Sequence, residues 1–224
     1  MNPTPRLNLT DEMTIQRLRM VERLRGHYGI TDKRVLEVMA ALPRHLFVPE
    51  AIKSQAYNDN ALPIAGGQTI SQPAIVARMT ELLGLTGREK ILEIGAGSGY
   101  QTAILASLAR KVFAIERLPA LADEANRRLK ALGFRNFTLK SDDGTNGWDI
   151  YSPYDVMLVA AGGPEVPLPL VKQLKVGGKL VIPVGNEPRT QRLMQITRTE
   201  TGYTQQDLGP CAFVPLIGEH GWEN

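Results

Sequence analysis

The chain has 224 residues, enough for one domain, or one with an appendage, and for a full core without disulfide or metal staples. A hydrophobic fraction of 43%, a charged fraction of 22% and a single cysteine, Cys211, exclude long-range disorder, a disulfide framework and a Cys-rich zinc site. The net charge of +3 is too small to argue for a nucleic-acid partner, and no apolar run approaches the ~18 residues of a membrane helix. Residues 1–10 are polar and carry prolines instead of an apolar signal core, so a cytoplasmic protein is expected. His27, His45 and His220 lack metal-ligand spacing and no metal is expected.

The first predicted helix starts after Thr10, with Asp11 and Glu12 in its first turn, and ends at Gly26. Arg17, Arg19, Arg23 and Arg25 read as its solvated face, between Ile15, Leu18, Val21 and Leu24. A second helix is capped by Thr31, carries Val35, Val38, Met39 and Leu42 at i, i+3, i+4, i+7, and stops at Pro43. Residues 43–70, rich in Pro, Gly, Asn and Asp, read as an irregular connector of the length that usually serves function. Ser71 then caps a third helix with Pro73 in its first turn.

From residue 90 strands and helices alternate. Strands are predicted over 90–94, 111–115, 137–140, 155–160 and 179–184, with helices over about 100–110, around 121–132 and over 171–175 before a Gly177-Gly178 turn. Segments 192–198, 203–208 and 212–217 read as closing antiparallel strands. The pattern is α/β: a Rossmann-like, doubly wound, mostly parallel sheet with C-terminal antiparallel strands. A helical and loop extension over 1–70 precedes a cofactor-binding core over 71–224, the whole forming a single domain. With no apolar stripe evident, a monomer is expected.

Ile94-Gly95-Ala96-Gly97-Ser98-Gly99-Tyr100 runs from a strand through a glycine turn into a helix, the place where open parallel sheets bind nucleotides. The spacing is not the dinucleotide fingerprint, because Tyr100 replaces its third glycine. Three acids sharpen the reading. Glu93 precedes the turn, Glu116 ends the second core strand where a carboxylate can accept both ribose hydroxyls, and Asp143, beside Gly144, follows the third where it can reach an adenine amino group. Acids at successive strand ends, with no lysine in the glycine turn, fit an adenosine without phosphates. A nicotinamide-dependent oxidoreductase, a methyltransferase acting on RNA or a small molecule, and a non-catalytic cofactor-binding relative are the competing readings.

The pattern E-x-G-x-G-x-G with an acid after the next strand resembles S-adenosylmethionine-dependent methyltransferases. Leu42-Pro43-Arg44, Phe47-Val48-Pro49, the run Gln68-Thr69-Ile70-Ser71-Gln72-Pro73, Asp143-Gly144 with Gly147-Trp148, and Phe213-Val214-Pro215-Leu216 narrow this. From about residue 31 to 217 the chain resembles the protein-L-isoaspartate O-methyltransferase family. The resemblance implies methylation of the free α-carboxylate of L-isoaspartyl residues in damaged proteins and peptides, followed by spontaneous collapse of the ester to a succinimide. It also implies Ser71 as the functional residue and a cofactor set of Thr69, Ile70, Glu93, Gly95, Gly97, Gly99, Glu116, Asp143 and Gly144. The chain departs from the family pattern at Asp142, which adds charge near the adenine end, and at Ala160-Ala161-Gly162-Gly163, which loses a hydroxyl and is expected to add backbone freedom.

Overall fold

The computed structural model describes residues 11–187 and 190–223. Its core is a seven-stranded sheet in the order β5-β4-β3-β6-β7-β8-β9. β3 (Lys90–Ile94), β4 (Lys111–Glu116), β5 (Phe137–Ser141), β6 (Tyr154–Val159) and β7 (Leu174–Glu187) run parallel, and β8 (Thr190–Arg198) and β9 (Tyr203–Cys211) extend the sheet antiparallel. The chain winds outward from β3 to β5, then returns to lay β6 on the other side of β3. That reversal opens a crevice between the C-terminal ends of β3 and β6, where α/β sheets bind ligands.

Both faces of the central strands are buried, as their near-continuous apolar runs require. Ile91, Val112, Leu158 and Val181 face one core, with α3 (Pro73–Leu83), α4 (Tyr100–Leu108) and α5 (Pro119–Ala131) on that side. α1 (Thr14–Gly26) and α2 (Lys33–Ala41) stack outside α3 and α4. Leu92, Phe113, Met157 and Leu180 face a second core, closed by the short α6 (Leu168–Lys172) and by Trp148 packed edge-on to Phe113. Each fully buried aliphatic side chain contributes about 1.5–3 kcal/mol. Among the described residues no helix is long and apolar enough to cross a membrane.

Several local expectations change. Thr10 lies outside the described residues, and Met13 stands at the N-cap of α1. Arg17 is not on a solvated face: it is fully buried, donating from Nε to Ala40 O at 2.7 Å and from Nη1 to Asp11 at 2.6 Å. It satisfies a carbonyl at the C-terminal end of α2, whereas Ile15 and Leu18 face solvent. Asp32, not Thr31, caps α2, accepting from the Arg34 and Val35 N–H groups. The Thr31 hydroxyl donates instead to Glu81.

The 43–70 connector is ordered. It forms 3₁₀ turns at Arg44–Phe47, Glu50–Gln55 and Ala65–Gly67, and a short antiparallel pair of β1 (Leu62–Pro63) and β2 (Thr69–Ile70). Arg23 ties it to α1 by donating to Tyr57 O at 2.8 Å. Gly177-Gly178 is not a turn before a strand but lies inside β7, where the register against β6 shifts. Residues 212–217 form no ladder strand. They leave β9 and cross to the sheet's C-terminal end, held by isolated pairings such as Gly162 with Pro215.

Candidate active site

The glycine turn sits at the crevice. Gly95, Gly97 and Gly99 all hold positive φ, at 86°, 53° and 88°, a region that side-chain-bearing residues rarely adopt. The Gly95 N–H donates to Ile115 O at 2.8 Å, bending the chain away from β3 toward β4. Gly99 starts α4, and a side chain there would press on Ala125 of α5 at 3.3 Å.

Glu116 ends β4 and is almost buried. Its carboxylate accepts from the Gly97 N–H at 2.8 Å and the Leu118 N–H at 3.0 Å, which leaves lone pairs on both oxygens free for further donors. Gly144 is glycine for space: a β-carbon there would lie 2.4 Å from Ile94 Cγ2. Glu116, Gly144, Gly95, Gly97, Thr69 and Ala160 line a cavity of about 190 Å³, with Val214, Pro215, Leu216 and Ile217 forming its far wall.

Asp143 belongs to the same loop, but its carboxylate is already engaged. It accepts from the Thr145 N–H and hydroxyl at 2.8 and 2.7 Å, and from the Glu219 N–H at 2.8 Å. Burial raises its pKa, but these donors outweigh burial and hold it below the usual carboxylate value. The neighbouring extra acid, Asp142, is paired with Lys140.

Thr69, Ile70 and Ser71 line a second, smaller cavity of about 40 Å³, together with Tyr100, Gln101 and Phe213. It shares Thr69, Gly95, Gly97 and Ala160 with the first. Ser71 is not a helix cap. Gln72 occupies the N-cap of α3 and no side chain caps it. The Ser71 hydroxyl makes no hydrogen bond among the described residues, while its carbonyl accepts from Arg44 Nη2 at 2.9 Å.

Glu93 departs from its expected place. It points from β3 toward α4, is fully buried and lines neither cavity. Among the described residues neither oxygen has a hydrogen-bond donor; the Thr102 hydroxyl lies alongside without hydrogen-bonding geometry. Burial pushes its pKa up to about 8. It lies beneath the turn, not on the cavity wall.

The loop after β6 is not loose either. Gly162 donates to Val214 O and accepts from the Leu216 N–H, both at 2.8 Å, and accepts from Trp222 Nε1 at 2.9 Å. A β-carbon on Gly162 would meet the buried Gln191 amide at 2.6 Å, so close packing explains this glycine. The apolar pattern of 212–217 predicts one more strand and does not announce the tail that these bonds hold. The Pro215 and Gly218 breaks were the available signal.

The model of the family "Protein-L-isoaspartate(D-aspartate) O-methyltransferase" matches residues 15–221. A protein-L-isoaspartate O-methyltransferase of Syntrophus aciditrophicus (strain SB) is 53% identical over 217 residues, covering 96% of this chain and 99% of the relative. The chain belongs to the protein-L-isoaspartate (D-aspartate) O-methyltransferase family. A solved protein-L-isoaspartate O-methyltransferase superposes with a TM-score of 0.83 at 28% identity, covering 92% of this chain and 67% of that one. A Plasmodium falciparum chain named for the same enzyme, solved in complex with S-adenosyl-L-homocysteine, superposes with a TM-score of 0.76 at 26% identity, covering 90% and 98%.

Proposed function

We infer that the two adjoining cavities divide one methyl transfer between them, the cofactor in the larger and the acceptor carboxylate in the smaller. As a family member, the chain is an S-adenosylmethionine-dependent methyltransferase of L-isoaspartyl residues in proteins. The cofactor residues fit an adenosine: the positive-φ glycines let backbone approach a ligand, and Glu116 presents free lone pairs at the wall for ribose hydroxyls. Thr69 lines both cavities and Ile70 the smaller one, and Gly144 keeps the adenine side close to Ile94. Asp143 supports that end by holding the tail, and Glu93 supports the turn from below.

The observation that carries the acceptor site is the free Ser71 hydroxyl on a wall shared with the glycine turn. It can donate to a carboxylate, and the uncapped N-terminus of α3 adds favourable field. When bound, S-adenosylmethionine supplies a methyl group on a sulfonium, whose transfer forms a C–O bond, breaks the C–S bond and leaves the electron pair on sulfur. The acceptor is ionised at neutral pH, so no general base is required. His45, bonded to Tyr57 at 2.8 Å, is not asked to act as one. The protein's contribution is positioning and water exclusion.

The same reading takes the chain as a cytoplasmic monomer acting on proteins and peptides, not nucleic acid or membranes. A net charge of +3 gives little steering toward phosphates, and the exposed large apolar side chains among the described residues fall on separate segments, at 15 and 18, 28, 46, 150 and 151, 168, 176 and 203. Methyl-labelled S-adenosylmethionine with matched isoaspartyl and aspartyl peptides tests the function. Base-labile label on the isoaspartyl peptide alone is expected; label on neither, with folded cofactor-binding protein, overturns it.

A further inference from the structure

Arg44 opens the first 3₁₀ turn of the connector and is fully buried. Its Nε donates to Ala56 O at 2.7 Å and Nη2 to Ser71 O at 2.9 Å. The guanidinium carbon lies 4.9 Å from the centroid of the Tyr100 ring, and Nη1 has no hydrogen-bond partner among the described residues. Among the described residues no carboxylate pairs with it within 4.0 Å. The other fully buried arginine, Arg17, shows the ordinary solution, with Asp11 at 2.6 Å. A buried cation without a counter-charge is costly, and the cost is out of place in a well-packed core.

The location accounts for it. Tyr100 and Ser71, both in contact with the guanidinium, line the smaller cavity. We propose that Arg44 is the specificity-determining counter-charge for the acceptor carboxylate at Ser71, making the site select an ionised α-carboxylate over a neutral acceptor or the neutral ester product. This rests on the reading that the acceptor carboxylate is held at Ser71. Water does not screen a charge in this position, so it acts over the short distance from the Ser71 carbonyl to the cavity. Transfer converts the carboxylate to an uncharged ester, so the attraction is strongest in the reactant complex and disappears with product. The effect belongs mainly in KM and in ester release, less in kcat.

The test compares an L-isoaspartyl peptide with the same peptide bearing an α-carboxamide in place of the α-carboxylate. Both are titrated by calorimetry into wild type, Arg44→Met, Arg44→Lys and Ser71→Ala, with S-adenosylhomocysteine present. Wild type is expected to prefer the carboxylate by about 10-fold or more, Arg44→Met to lose that preference, and Arg44→Lys to keep it only at the acid end, at about pH 6. Arg44→Met weakening both peptides equally overturns the proposal and leaves a structural role. Should Arg44→Met fail to fold, Arg44→Lys decides. A buried ammonium sheds its proton more readily than guanidinium, so its preference must fall between roughly pH 6 and 9 while wild type holds; a flat preference overturns the proposal. Tyr57, Tyr100 and Asp59 are the other ionisable groups whose fields reach Arg44. Preference lost in Ser71→Ala but kept in Arg44→Met sinks the counter-charge alone; the reverse sinks the Ser71 reading alone.

Discussion

The Gly97 backbone N–H donates to the Glu116 carboxylate at 2.8 Å, so the middle of the glycine turn hangs from the end of the neighbouring strand. The Leu118 N–H holds the other oxygen. In Glu116→Gln one of these donors meets an amide N–H. Cofactor affinity is expected to fall about 10-fold or more, corresponding to about 1.4 kcal/mol. Calorimetry with S-adenosylhomocysteine checks this, and an unchanged Kd refutes the ribose assignment.

Ser71 is free of structural duty, since its side chain neither caps α3 nor bonds elsewhere among the described residues. Ser71→Ala should keep its melting temperature and its cofactor affinity. Methyl transfer to an isoaspartyl peptide should drop by about 10-fold or more, the scale of one hydrogen bond to a charged group. Initial rates decide it, and wild-type kcat/KM in the variant removes the proposed role.

Gly144→Ala drives a β-carbon to within 2.4 Å of Ile94 Cγ2. Overpacking of this kind costs about 1–3 kcal/mol and should also open the cavity wall that Gly144 forms. Urea denaturation and cofactor titration are both expected to shift. Adding Ile94→Ala should recover part of the lost affinity, and a double variant no better than Gly144→Ala alone rules out the clash as cause.

Glu93 makes stability depend on pH in an unusual direction. Burial raises its pKa from 4.5 to about 8, so the folded chain holds a proton that the unfolded chain has released across that interval. Stability from this group is complete below the unfolded value and is lost as pH rises toward the folded one, at up to about 1.4 kcal/mol per pH unit. Glu93→Gln should flatten the melting curve between roughly pH 5 and 8 and exceed wild type in stability at the upper end. Parallel slopes for the two proteins would show that Glu93 ionises freely.

Asp143 joins its own loop to the tail through the Glu219 N–H, while Thr145 Oγ1 accepts from the His220 N–H at 3.1 Å. Asp143→Ala frees the segment that walls the cofactor cavity with residues 214–217. Proteolytic cleavage within 217–223 should quicken, and bound S-adenosylhomocysteine should slow it again. Cleavage unchanged by the substitution argues against a latch.

Much of this molecule is written in local pattern. The alternation from residue 90 onward, the turn from Ile94 to Tyr100 and the acid ending β4 identify the fold, the crevice and the Glu116 wall, because strand periodicity, glycine torsions and strand-end position are local properties. What periodicity does not contain is which long-range partner a polar group meets. Arg17 reads as a solvated charge until folding brings Ala40 and Asp11 to it, and nothing in the local pattern around Arg44 announces Ala56 and Ser71 as its partners. Glu93 carries the family's acid, but the pleat of β3 turns it into the α4 side, away from the cavity. The 213–222 segment becomes a wall only when Gly162 and Asp143, some 50 to 75 residues upstream, supply its hydrogen bonds. The sheet, the glycine turn and the cofactor class follow from local sequence. Which charges are buried, which serine is free and what closes the site follow from contacts between residues far apart in the chain, which no local pattern contains.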